Sequence, residues 1–136
     1  MSRKEPGRME PERKVLLAVR EDSIDQRLLS SALSLCKRMD AGLEILAIVK
    51  GETLPLPLQE LLKTLRQEGL YYSLTRKPAL RRRDIVEYAN THECIAAVVI
   101  DSLEGWESLA QDRNSDPWKK LACPLVTAAP RKTSQE

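Results

Sequence analysis

The sequence predicts a single α/β domain built on an open, doubly wound, Rossmann-like sheet of five parallel strands. Three observations carry that expectation. Five short apolar runs alternate with stretches of helical periodicity. The runs are nearly free of polar interruption, as suits strands covered on both faces. The 136 residues are enough for one hydrophobic core of their own.

The elements follow in order. Lys14-Val15-Leu16-Leu17-Ala18-Val19 reads as the first strand. Asp22 and Ser23 offer side chains that can cap a helix. Ile24, Leu28, Leu29, Ala32, Leu35, Cys36 and Met39 then recur at helical spacing. Asp40-Ala41-Gly42 ends that helix, and residues 43–49 read as the second strand, which completes a right-handed βαβ unit. Pro55 and Pro57 mark the start of another helix. Its apolar face is Leu58, Leu61, Leu62 and Leu65, and Gly69 closes it. Residues 71–75 alternate and are rich in strand formers. After Lys77-Pro78 a third helix carries Leu80, Ile85, Val86 and Ala89. Residues 94–100 form the most apolar strand, and Leu125, Val126, Thr127 and Ala128 the last. Between these two, residues 101–117 are polar and irregular, with Trp106 as a packing anchor, and residues 118–121 read as a short helix bearing Trp118. The expected domain covers residues 13–130, with a disordered lead-in over 1–12 and a tail over 131–136.

Composition narrows the function classes. An apolar fraction of 42% with 31% charged residues fits a soluble globular domain. The apolar run over 94–100 is far shorter than the ~20 residues of a membrane span. The first fourteen residues lack an apolar core, so a secretory signal is not expected and a cytoplasmic location is. A net charge of +2, without interleaved aromatic residues, gives no footprint for nucleic acid. His92 is the single histidine and sits where the third helix should end. Cys36, Cys94 and Cys123 show no metal-binding spacing and are expected as buried reduced thiols, so no metal site is expected. Neither a nucleophile–base pair nor paired acids in a known motif stand out, Ser102 and Ser115 included, so the chain is not expected to be an enzyme.

Taken together, several fragments resemble the universal stress protein family. Val15-Leu16-Leu17-Ala18-Val19, the helix ending Lys37-Arg38-Met39-Asp40-Ala41, and Leu43-Glu44-Ile45-Leu46 look like its opening. Asp84-Ile85-Val86-Glu87-Tyr88-Ala89 resembles its third helix, and Ala97-Val98-Val99-Ile100 and Cys123-Pro124-Leu125-Val126 its last strands. The likeness covers roughly residues 13–130. It implies strand order 3-2-1-4-5 in an adenine nucleotide alpha hydrolase-like sheet. It also implies a homodimer through the last strand, Leu125, Val126, Thr127 and Ala128.

The marks of the family's nucleotide-binding branch are missing. Where that branch has an aspartate in the turn after strand one, an ungapped reading places Arg20. Its glycine motif after strand four falls here on Asp101, Glu104, Asn114 and Ser115, of which only Ser115 fits. Glycines there let backbone amides approach phosphate oxygens. Carboxylates at the same positions repel a polyphosphate. ATP is therefore not expected as a ligand, and no cofactor is. Arg20 and Asp101, of opposite sign at the ends of neighbouring strands, are expected to pair across the crevice that a nucleotide would fill. Arg76, Lys77, Arg81, Arg82 and Arg83 form the densest basic cluster, at the start of a helix whose dipole disfavours cations. They are a candidate anion patch, or partners for the acidic stretch after residue 100. The reading is a non-enzymatic regulatory or interaction module. The alternative is a nucleotide-binding stress-response protein in which Arg20, Arg76 and Lys77 hold the phosphates.

Overall fold

The computed structural model describes residues 11–103, 106 and 116–128. Strands β1 (Lys14–Arg20), β2 (Gly42–Ile48), β3 (Tyr72–Lys77), β4 (Ile95–Ile100) and β5 (Leu125–Thr127) form one sheet in the order β3-β2-β1-β4-β5. Every neighbouring pair is parallel. Helices α1 (Gln26–Met39), α2 (Leu56–Gln67) and α3 (Arg82–Thr91) connect the first four strands. The order reverses at β1, which has β2 on one side and β4 on the other. That places the topological switch point beyond the carboxyl ends of β1 and β4.

Strand periodicity divides the core into two layers. Val15, Leu17 and Val19 point to one face with Leu43, Ile45 and Ala47, under Leu28, Leu29 and Ala32 of α1 and Leu58, Leu61 and Leu65 of α2. Leu16 and Ala18 point to the other face with Leu46, Val98 and Ile100, under Ile85, Val86 and Ala89 of α3. Trp106 and Trp118 complete this second layer. Gly42 is needed for close approach: a side-chain carbon there would lie 2.8 Å from Pro11 and 3.0 Å from Tyr71. Asp40 ends α1 in the left-handed conformation (φ 55°), its amide returned to the carbonyls of Cys36 and Lys37.

Five local expectations need correction. Asp22 and Ser23 do not cap α1; they lie in a 3₁₀ turn (Glu21–Ser23), and Asp25 is the cap, accepting a hydrogen bond from the Leu28 amide at 2.9 Å. The third strand runs two residues further than its alternation suggested, taking in Arg76 and Lys77 through register with Ala47 and Ile48. Helix α3 starts at Arg82, so Leu80 lies outside it and Arg81 precedes it. The short helix near Trp118 is a 3₁₀ turn, Pro117–Lys120, begun by Asp116 capping the Trp118 amide. The last strand stops at Thr127, although the Ala128 amide still donates to the Ile100 carbonyl at 3.0 Å. The expectations for the lead-in before residue 11 and for the tail lie outside the described residues. No described helix is long and apolar enough to cross a membrane.

Candidate functional site

Leu17 pairs with Val99, so Arg20 and Asp101 stand just beyond the paired parts of two neighbouring strands. The guanidinium of Arg20 donates from Nη2 to the Asp101 Oδ2 carboxylate oxygen. Both side chains are mostly buried, at 23% and 16% exposed. The other carboxylate oxygen of Asp101 accepts from the indole Nε1 of Trp106 at 3.1 Å. The Arg20 guanidinium lies 4.7 Å from the centre of the Trp106 ring, within cation–π range. Trp106 is 2% exposed. Cation, anion and indole thus engage one another at the switch point, with the buried Nε of Arg20 left outside their hydrogen bonds.

Arg82 reinforces the assembly from below. Its Nε donates to the Trp106 carbonyl at 2.9 Å, and its Nη1 lies 3.6 Å from Asp116. Trp118 Nε1 donates to the Leu103 carbonyl at 3.2 Å. The loops after β1 and β2 are also tied, by the Lys50 amide donating to Glu21 at 3.0 Å.

The basic cluster is not gathered into one patch. Arg76 turns to the loop after β2 and donates to the carbonyls of Gly51 (2.8 Å) and Glu52 (2.6 Å). Arg82 holds Trp106 and Asp116. The Arg81 amide donates to Asp84 at 2.8 Å, and its guanidinium lies 3.6 Å from the same carboxylate. Asp84, in the first turn of α3, offsets the cations that the helix dipole disfavours there. Lys77 instead lines a cleft beside α3, and Arg83 is exposed. Of the positions matched to the family's glycine motif, Asp101 is placed as above; Glu104, Asn114 and Ser115 lie outside the described residues.

A second polar cluster escaped sequence reasoning. Lys14 and Glu44 are buried, 6% and 9% exposed, with Lys14 Nζ 3.6 Å from Glu44 Oε1. The Lys14 ammonium lies 5.0 Å from the centre of the Tyr71 ring. Tyr88 donates its hydroxyl to Glu44 Oε2. Burial, reinforced by the Glu44 carboxylate, pushes the Tyr88 phenol well above its ordinary range. His92 stacks on Tyr88 with ring centres 3.9 Å apart, and its Nδ1–H donates to the Tyr88 carbonyl at 2.7 Å. Tyr88 and His92 stand in the wall of the Lys77 cleft, which encloses about 460 Å³. The signal was available: Glu44 is a lone carboxylate in an apolar strand, and a charge in such a place requires a partner.

Cys36 is buried, and its thiol donates to the Gly42 carbonyl at 3.5 Å; burial pushes it up to about 12. Cys94 and Cys123 are only half-buried, a correction to the expectation that all three thiols lie inside. Cys94 immediately precedes β4, and Cys123 lies two residues before β5. Among the described residues no three His, Cys, Asp or Glu side chains converge as a metal site.

The fold has a known counterpart. A universal stress protein from Archaeoglobus fulgidus superposes with a TM-score of 0.53 at 20% identity, over 85% of this chain and 92% of that one. No protein-family model matches the sequence, and no curated protein does.

Proposed function

We propose that this chain is a universal stress protein-type regulatory or interaction module that does not bind ATP in that family's manner. The observation that carries the reading is the mutual engagement of Arg20, Asp101 and Trp106 at the switch point. A polyphosphate entering between β1 and β4 would meet the Asp101 carboxylate and would have to separate it from Arg20. In this reading the chain's own side chains occupy the crevice that serves small ligands in doubly wound sheets. The signal then passes through protein contacts. Among the described residues β5 ends the sheet, which suits this role, because open sheet edges pair readily. Two copies joined along Leu125, Val126, Thr127 and Ala128 form the homodimer of this reading.

Thermal unfolding with and without ATP and magnesium tests it. A ligand at a hundredfold excess over its Kd adds about 2.7 kcal/mol and raises the midpoint visibly. The expected result is an unchanged midpoint at millimolar ATP. A clear rise would instead select a nucleotide-binding protein with an altered phosphate site. Sedimentation across micromolar concentrations tests the homodimer; a monomer throughout would remove that part alone.

A further inference from the structure

The β5 edge has a defined chemistry. The Pro124 carbonyl accepts from the Val98 amide at 3.0 Å, and the Ala128 amide donates to the Ile100 carbonyl at 3.0 Å. Backbone groups alternate in direction along a strand, so those of Leu125 and Thr127 point away from β4. Among the described residues no strand lies on that side. Alongside runs a groove of about 310 Å³ between β5 and α1, lined by Arg27, Ser31, Ser34, Leu35, Arg38 and Val126 among others. No carboxylate lines it, and among the described residues neither Arg27 nor Arg38 has an acidic partner. Eleven helical positions separate these arginines, roughly 16 Å along α1. An extended strand covers that distance in about five residues.

We propose that this edge receives an extended acidic segment of a partner protein as an added strand, its carboxylates facing Arg27 and Arg38. The inference rests on the interaction-module reading and names the partner's chemistry. Backbone pairing to Leu125 and Thr127 supplies the docking, and side chains on alternate positions supply the selectivity. A second copy would use the same edge, so the two occupants compete for it.

The test uses the full chain and a fluorescein-labelled ten-residue peptide alternating Glu and Val, with a Lys-Val peptide as control. Fluorescence anisotropy is expected to show saturable binding of the Glu peptide, weakened by about 0.3 M salt, and no binding of the Lys peptide. Arg27→Glu with Arg38→Glu should weaken binding at least tenfold. Thr127→Pro should do the same, because it removes an outward amide while leaving the bonds to β4. Circular dichroism verifies that the variants fold. Absence of binding to the parent protein, equal binding of both peptides, or full binding by folded Thr127→Pro would overturn the proposal. Sedimentation of the same samples separates the two ideas: a monomer that binds the Glu peptide removes the homodimer and keeps the acidic partner.

Discussion

Arg20 and Asp101 lie 81 positions apart in the chain and meet at the point where strand order reverses. The sheet brings them together because β1 and β4 are parallel neighbours: Leu17 pairs with Val99, so Arg20 and Asp101 stand one register position apart. Trp106 then covers the pair, accepting the cation on its ring face and donating its indole N–H to the carboxylate.

Asp101→Ala should therefore damage more than a surface ion pair would. The change takes the Asp101 carboxylate from a mostly buried guanidinium and from a buried indole N–H, a loss of about 1–3 kcal/mol. The unfolding midpoint should fall by several degrees, and Trp106 emission should shift to the red in a Trp118→Phe background. An unaltered midpoint and spectrum would mean that the pair contributes nothing to closure.

The buried Lys14–Glu44 pair gives a second prediction. Glu44→Leu alone takes a carboxylate from the buried Lys14 ammonium and should be destabilising, by up to about 3–5 kcal/mol. Adding Lys14→Met should recover most of that loss, because apolar replacement of a buried pair is often close to neutral. Tyr88→Phe should cost less, about 1 kcal/mol, since it removes one donor and leaves Glu44 its lysine. Denaturant unfolding of the single and double variants measures the coupling.

Cys36 predicts a dependence on alkaline pH. Its thiol titrates near 9.0 in the unfolded chain and at about 12 when folded. The folded state therefore keeps a proton that the unfolded state has lost between these values. The stability contributed by the neutral buried thiol is complete below about pH 9 and declines as pH rises toward 12. Cys36→Ala should flatten the slope of stability against pH in that window, whatever its effect at neutral pH. Equal slopes in the two proteins would contradict the assignment. In thiol labelling at pH 8, Cys94 and Cys123 should react before Cys36.

The start of α1 shows where local sequence reasoning stops. Asp22, Ser23 and Asp25 all carry capping side chains, and only geometry selects among them. The Glu21–Ser23 turn places the first two ahead of the helix, and Asp25 reaches the Leu28 amide. Asp25→Ala should cost about 0.5–2 kcal/mol, whereas Asp22→Ala should stay within a few tenths. The strands were legible because burial on both faces writes continuous apolar runs. The Arg20–Asp101 contact was legible from strand order together with opposite charge at corresponding ends. The Lys14–Glu44–Tyr88 cluster was not, because its members come from β1, β2 and α3 with no shared periodicity. The split of the basic cluster was missed for a related reason: Arg76 and Lys77 belong to a strand and Arg82 to a helix, so nearness in sequence did not become nearness of side chains.

The most direct test of the proposed closure of the crevice is the nitrogen–proton NMR signal of the Trp106 indole, observed while ATP and magnesium are titrated to millimolar concentration. Its N–H is donated to Asp101, whose carboxylate also holds Arg20. The account predicts a signal that does not move. A saturable shift, abolished by Arg20→Ala, would show a nucleotide entering where these side chains meet and would contradict it.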